Sequence, residues 1–186
     1  MTKKKPRLNL RERAEQLAEA IPRGSLHPAV LAWAEKSPVR AGWSVAFSGG
    51  ADSLALLLLL WAHWPERRPR LQALHFNHRL RGRESKADEL FCGRVCDALG
   101  VEFKAGSWKA APKHASEAEA REARHEFFQR HSRTLWLGHQ QDDIAETMFM
   151  RLSRGSGAGG LAAPRPVHIV SGHRVHLRPL LSLKKA

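Results

Sequence analysis

Between Ser44 and Ser153 a short apolar run is followed by a helical stretch, and the pair recurs four times with short joins. Ser44–Phe47, Arg70–Phe76, Val101–Ala105 and Thr134–Leu137 have the length and apolar content of buried strands, and Leu54–His63, Glu84–Leu99, Ser116–His131 and Gln141–Ser153 read as helices. In the second helix Ala87, Leu90, Phe91, Val95, Ala98 and Leu99 fall on one stripe that closes at Gly100. Ser116 stands at the N-cap position of the third. Such repetition leaves little choice: the fold is α/β, a doubly wound and mostly parallel sheet. The tail breaks the pattern, because Val167–Val170 and Arg174–Leu177 flank Ser171-Gly172-His173 as a C-terminal β-hairpin.

Parallel sheets of this kind take ligands beyond the carboxyl ends of their strands. The segments Ser48–Ser53, His75–Arg81 and Gly138–Asp143 are therefore expected to converge on one crevice. The first, Ser48-Gly49-Gly50-Ala51-Asp52-Ser53, lies between a strand and a helix. Its glycines let backbone N–H groups approach an anion, and the helix adds its positive end. Ser48 and Ser53 supply hydroxyl donors, and Asp52 is the candidate for a Mg²⁺ that bridges phosphates. The same residues also read as a plain turn in which Asp or Ser caps the helix. A Walker A loop is excluded, since no Gly-Lys-Ser/Thr occurs. Gly155–Gly160 satisfies G-x-G-x-x-G in form but follows a helix, and reads as a loop beside the substrate.

Asp143 and Glu146 are three apart in the first turns of the fourth helix, opposite an apolar stripe. They read either as solvated first-turn acids or as site carboxylates. His139, at the end of the fourth strand, has the same two readings. Arg124 falls within the stripe of Ala120, Ala123, Phe127 and His131, where an arginine needs a partner, and Arg121 lies at its edge.

The 186 residues hold 31 Lys+Arg against 18 Asp+Glu, a net charge of +13 that suits a polyanion, either nucleic acid or an anionic surface. A hydrophobic content of 42% excludes wholesale disorder. The longest apolar run, Leu54–Ala62, is far short of the roughly 20 residues that span a bilayer, and no apolar segment follows the basic start, so the expected location is the cytoplasm. Residues 1–42 read as a basic, helical N-terminal extension, with Leu10, Ala14, Leu17, Ala18 and Ile21 at helical spacing. Cys92 and Cys96 are too few for a disulfide scaffold or a four-cysteine zinc site and read as two buried, reduced thiols.

Taken together these segments resemble a known family. Ser-Gly-Gly-Ala-Asp-Ser after Val-Ala-Phe is similar to the PP-loop of the N-type ATP pyrophosphatases. Within them, His75-Phe-Asn-His78-Arg-Leu-Arg81, Glu84-Ser85, Asp88-Glu89, Glu119-Ala-Arg121-Glu-Ala-Arg124, Gly138-His139 through Asp143-Ile-Ala-Glu146, Arg154-Gly-Ser-Gly157 and Arg178-Pro-Leu-Leu181 resemble the tRNA(Ile)-lysidine synthetases in order and spacing. The resemblance implies ATP and Mg²⁺ as cofactors, tRNA(Ile) with a CAU anticodon and free L-lysine as partners, and no membrane. It implies a carbon–nitrogen ligation at the wobble cytidine through an adenylated base, releasing pyrophosphate and AMP. Ser48, Gly49, Gly50, Ala51, Asp52 and Ser53 would cradle the phosphates, with Asp52 on Mg²⁺. Arg124, His139, Asp143 and Glu146 would act around the α-phosphate, the base and the lysine. The family domain would run over 43–186 and end before the family's C-terminal tRNA-binding portion. His125 stands where the family usually has Tyr, and Gln140 where a second His or Asn is common. A thiolase-type PP-loop enzyme and a shortened, inactive RNA-binding relative are the alternatives. Thiolases carry C-x-x-C pairs, whereas Cys92 and Cys96 are C-x-x-x-C. A homodimer is left open.

Overall fold

The computed structural model describes residues 9–77, 83–108, 116–140, 164–170 and 173–183. Six strands form one sheet: β1 (Trp43–Ala46), β2 (Leu71–Asn77), β3 (Glu102–Ser107), β4 (Thr134–Trp136), β5 (Val167–Val170) and β6 (Arg174–Leu177). Their order is β3-β2-β1-β4-β6-β5, parallel throughout except for β5, which pairs antiparallel with β6. The chain builds outward from β1 through β2 to β3, then returns to place β4 on the other side of β1. The crevice of a doubly wound sheet opens at such a reversal, here between β1 and β4.

Among the described residues five α-helices accompany the strands: α1 (Leu10–Ala20), α2 (Pro28–Lys36), α3 (Ala51–His63), α4 (Arg83–Leu99) and α5 (Glu117–His131). In α3, Leu56 to Trp61 are all buried. A helix apolar on every side must be enclosed on every side. It packs with Val45, Phe47 and Ala73 of the sheet layer, with Cys92, Val95, Cys96 and Leu99 of α4, and with Ala14 of α1 in one core. Strand residues alternate between faces, so Ala46, Leu74, Leu135 and Leu137 form a second, smaller cluster with Phe127 and Phe128 of α5. Among the described residues the two faces of the sheet are therefore unequally filled.

Residues 1–42 supply α1, on the stripe expected, and α2, which no periodicity announced. Nine residues opened by a proline are too short to build a stripe, and His27 Nδ1 accepts the Ala29 N–H to start the helix. Ala14, Leu26, Val30 and Ala34 belong to the same core as Val45 and Leu56. Trp43 at the start of β1, Trp136 in β4 and Trp64 after α3 cluster with ring centroids 4.6 to 6.0 Å apart. Arg67, only 3% exposed, lies 4.4 Å over the Trp43 ring and donates to the carbonyls of Ser37 and Pro38. Ring face and carbonyls hold a buried cation that forms no ion pair among the described residues and whose Nε has no hydrogen-bond partner, and burial lowers its pKa against the opposing charge of Glu66.

Most element boundaries shift by one or two residues, β1 to Trp43–Ala46 and β3 to Glu102–Ser107 among them, and two shifts have a local cause. Helix α3 starts at Ala51 rather than Leu54, which puts Asp52 and Ser53 in its first turn. Strand β2 starts at Leu71 because Pro65–Arg70 form a 3₁₀ turn. The hairpin is as expected, with Val167 opposite Leu177 and Val170 opposite Arg174. Gln141–Ser153, with Asp143 and Glu146, and the Gly155–Gly160 loop lie outside the described residues. Among the described residues no helix is long and apolar enough to cross a membrane.

Candidate active site at the carboxyl ends of the strands

A cavity of about 680 Å³ opens where β1, β2, β4 and β6 end. Of the three segments expected to converge there, Ser48, Asp52 and Ser53, then His75 and Asn77, then Gly138 and His139 line it.

The β1–α3 loop is held by its own hydroxyls. Ser48 Oγ accepts the Gly50 N–H (3.3 Å) and lies 3.1 Å from Ser53 Oγ, which is 3.0 Å from the Gly50 carbonyl it donates to. Gly49 has φ 94°, and a Cβ there would lie 3.2 Å from Cys92 Sγ. The N-cap residue of α3 is Gly50, with no side-chain cap. The capping reading of Asp52 and Ser53 is thus not what the loop does: both are inside the first turn and both line the cavity. Asp52 Oδ1 instead accepts a hydrogen bond from Gln140 Nε2. The exit of β4 runs against this turn: a Cβ on Gly138 would stand 2.9 Å from the Asp52 carbonyl oxygen.

Helix α5 forms the opposite wall with Arg121, Arg124, His125 and Phe128. Its start is fixed by a capping box, in which Ser116 Oγ accepts the Glu119 N–H (3.2 Å) and Glu119 Oε2 accepts the Ser116 N–H (2.8 Å). The Ser116 N–H and then the Ser116 hydroxyl, each donating to Glu119 Oε2 at 2.8 Å, hold the Glu119 carboxyl below its ordinary pKa. The buried line of α5 runs through Ala120 and Phe128, with His131 exposed. Arg124 is accordingly not enclosed in the stripe, as the wheel suggested, but lies in the cavity wall. Desolvation and then the charge of Arg121 lower its pKa.

From β6 come His176 and Arg178, both buried. Arg178 Nε donates to His139 Nδ1 (3.1 Å) and its Nη1 to the Arg165 carbonyl (2.8 Å). Burial and Arg121 lower its pKa. His176, with Arg178, His125, His168 and His139 around it, is pushed down to about 4, burial being the largest cause. His125 is lowered too, by burial and by Arg121, Arg124 and Arg178. On the β2 side, His75 Nδ1 donates to the Phe47 carbonyl (2.9 Å), and Asn77 Nδ2 to Ser85 O and Glu89 Oε2.

Three guanidinium groups thus share one wall, while Asp52 and Asp88 are the lining carboxylates among the described residues. The ion pairs found there, Lys104–Glu102 and Arg130–Glu126, involve none of the three. Such a wall favours a multiply charged anion. Cys92 and Cys96 are buried and reduced, with thiols pushed up to about 12 mainly by burial, and Cys92 packs beneath the Gly49 turn.

Sequence reasoning singled out Arg124, His139 and the loop. It did not select Arg178, His176 or Gln140, whose signals were a motif quoted as a whole and two ordinary polar positions.

Residues 28–186 match the family model of the PP-loop domain. The tRNA(Ile)-lysidine synthase of Pseudomonas aeruginosa is 38% identical over 174 residues, taking in 90% of this chain and 38% of that protein. That of Aromatoleum aromaticum is 43% identical over 148 residues, 76% of this chain and 34% of that protein. The chain therefore spans well under half the length of these relatives. Among solved structures, the U34-tRNA thiolase NcsA from Methanococcus maripaludis superposes with a TM-score of 0.57 over 92% of this chain and 58% of that one; at 18% identity this speaks for the fold alone. Sheet order, loop and family match agree: the chain belongs to the PP-loop family of ATP-binding domains.

Proposed function

We propose that this chain carries the catalytic domain of a tRNA(Ile)-lysidine synthase. The observation that carries the reading is the meeting of an uncapped, serine-tied PP-loop with an arginine wall in one cavity. Its similarity to the lysidine synthases supports the same reading. In the first step the C2 oxygen of the wobble cytidine in the CAU anticodon attacks the α-phosphorus of ATP. The bond to the bridging oxygen of the β-phosphate breaks, and pyrophosphate leaves. In the second, the ε-amine of free lysine attacks C2, the C2–O bond breaks, and AMP leaves.

Residues Ser48 to Ser53 receive the phosphates on backbone N–H groups, helped by the positive end of α3. Arg124 and Arg178 meet the charge that grows at the α-phosphate. His139, hydrogen-bonded to Arg178, sits beside the base. Asp143 and Glu146 take the ammonium groups of the lysine, and one of them assists its deprotonation. Mg²⁺ keeps several waters and needs one or two carboxylates beside substrate phosphates, so Asp52 is a fitting ligand. When bound, the metal would neutralise phosphate charge. Sulfur transfer is disfavoured by the burial of Cys92 and Cys96, since the thiolate is the reactive form. The reading locates the reaction in the cytoplasm.

Incorporation of radiolabelled lysine into a tRNA(Ile) transcript tests the proposal. Expected is ATP-dependent labelling matched by AMP and pyrophosphate, and a loss of roughly 10²-fold or more in Asp52→Ala and Arg124→Ala. An Asp52→Ala variant as fast as its parent would remove the site assignment.

A further inference from the structure

The sheet has a second pole, where its parallel strands begin. Register carries one row across it. Extending the β1–β2 pairs by one residue and the β1–β4 pairs by two sets Gly42 level with Arg70 on one side and Arg133 on the other, and one further step along β4–β6 sets Arg133 level with Arg174. The Val175 N–H donates to the Arg133 carbonyl (2.8 Å), and the Arg70 carbonyl is 3.8 Å from where a Gly42 Cβ would be. At a strand spacing of about 4.8 Å, Arg133 and Arg174 are neighbours and Arg70 is roughly 10 Å from Arg133. Arg40 lies in the turn just before β1.

Several cations of this pole have structural work. Arg11, Arg68 and Arg174 donate to the carbonyls of Ala98, Trp61 and Gln129 near helix ends, and Arg67 is the buried cation described above. Arg40, Arg70 and Arg133 do not: they are exposed, and among the described residues their guanidinium groups enter no hydrogen bond or ion pair. Glu66, four residues before Arg70, forms no ion pair with it. Next to the row is a recess of about 260 Å³ lined by Trp33, Lys36, Ser37, Pro38, Ala41 and Thr134. Unpaired guanidinium groups beside a tryptophan and a lysine match the chemistry of a nucleic-acid strand, with phosphates on the cations and a base or ribose on the ring.

We propose that this pole is a second RNA-contact surface, on which Arg40, Arg70 and Arg133 take backbone phosphates of the tRNA body and Trp33 offers a stacking face, while the reacting nucleotide enters the cavity at the other pole. The inference rests on the reading that the substrate is a tRNA. Seven residues of β2 at about 3.3 Å each separate the poles by roughly 23 Å, a span that an RNA stem lying along the domain covers.

The test is fluorescence anisotropy of this chain with labelled tRNA(Ile) transcript over a salt series, comparing the parent with Arg70→Glu/Arg133→Glu, Arg70→Lys/Arg133→Lys and a control reversal on the outer helices, Arg13→Glu/Arg94→Glu. Expected is a tenfold or greater loss for the first pair, with the slope of log K against log salt falling by about 1 to 2. The lysine pair should stay near the parent, the control should lose much less, and ATP affinity should be unchanged. Binding within twofold of the parent, or an equal loss in the control, overturns the proposal. So does a reversal that abolishes binding to phosphatidylglycerol vesicles but leaves tRNA binding intact. A parent that binds tRNA through this row yet incorporates no lysine would remove the lysidine reading and leave the surface standing.

Discussion

Gly49 and Gly138 frame the same first turn of α3 and tolerate a methyl group for different reasons, neither of them well. At Gly49 the backbone lies in the left-handed region and a Cβ would crowd Cys92, so Gly49→Ala is expected to cost about 1–3 kcal/mol and to weaken ATP binding. At Gly138 the obstacle is backbone, the Asp52 carbonyl, which cannot swing aside. Gly138→Ala should therefore raise the KM for ATP, and a KM equal to the parent's would contradict this. His176 brings a pH dependence. Its folded pKa, about 4, is below the ordinary 6.5, so the unfolded chain binds the extra proton first. Its contribution to stability is fully present above about pH 6.5 and is lost as the pH falls toward 4, on the order of 3 kcal/mol in all. Urea unfolding at pH 7.5 and 5.0 should show the drop, and His176→Leu should flatten it. The loop serines and Arg124 could be singled out from the sequence because each is odd against a local pattern. Arg178 and His176 could not, because their importance comes from the β4–β6 pairing, nor could Gln140, whose bond to Asp52 comes from the exit of β4 meeting the first turn of α3.

At the scale of elements, the strand–helix alternation was legible because period and length distinguish a four-residue buried run from a helical stripe. Edges were less so. Helix α3 begins three residues earlier than its apolar run, since glycine and an acid can open a helix without contributing to its buried face. Helix α2 was missed because its hold on the core, Val30 and Ala34, is too small to write a periodic signal. The capping box of α5 was half-visible, through Ser116 alone. Ser116→Ala is expected to cost about 1 kcal/mol in urea unfolding and to speed amide exchange in the first turn of α5. Because that helix carries Arg121 and Arg124, the same change should lower ATP affinity. Unaltered exchange would show that packing by Phe128 alone fixes the helix start.

For the molecule as a whole, the doubly wound, mostly parallel class of the sheet was legible in the strand–helix alternation, while the strand order and the two poles emerged only with the structure. The paired thiols offer a probe of global stability. Cys92 and Cys96 are deep in the main core with raised pKa values, so a disulfide reagent at pH 8 is expected to leave both unmodified in the native protein and to label both rapidly in urea. Labelling in native buffer at the rate of an exposed thiol would contradict the packing described here.

Helix α3 has a double duty: its first turn meets the cavity while Leu56 to Trp61 are locked among neighbours on all sides. Such a helix cannot tilt to suit a guest. Across from it, α5 rests on a far smaller apolar footing. The pocket is thus held like a vice with one jaw set in the main core and the other, among the described residues, on a smaller footing. Under the proposed function, triphosphate recognition falls to the deeply set jaw, and substitutions that alter base or amine preference without harming phosphate grip should accumulate on α5.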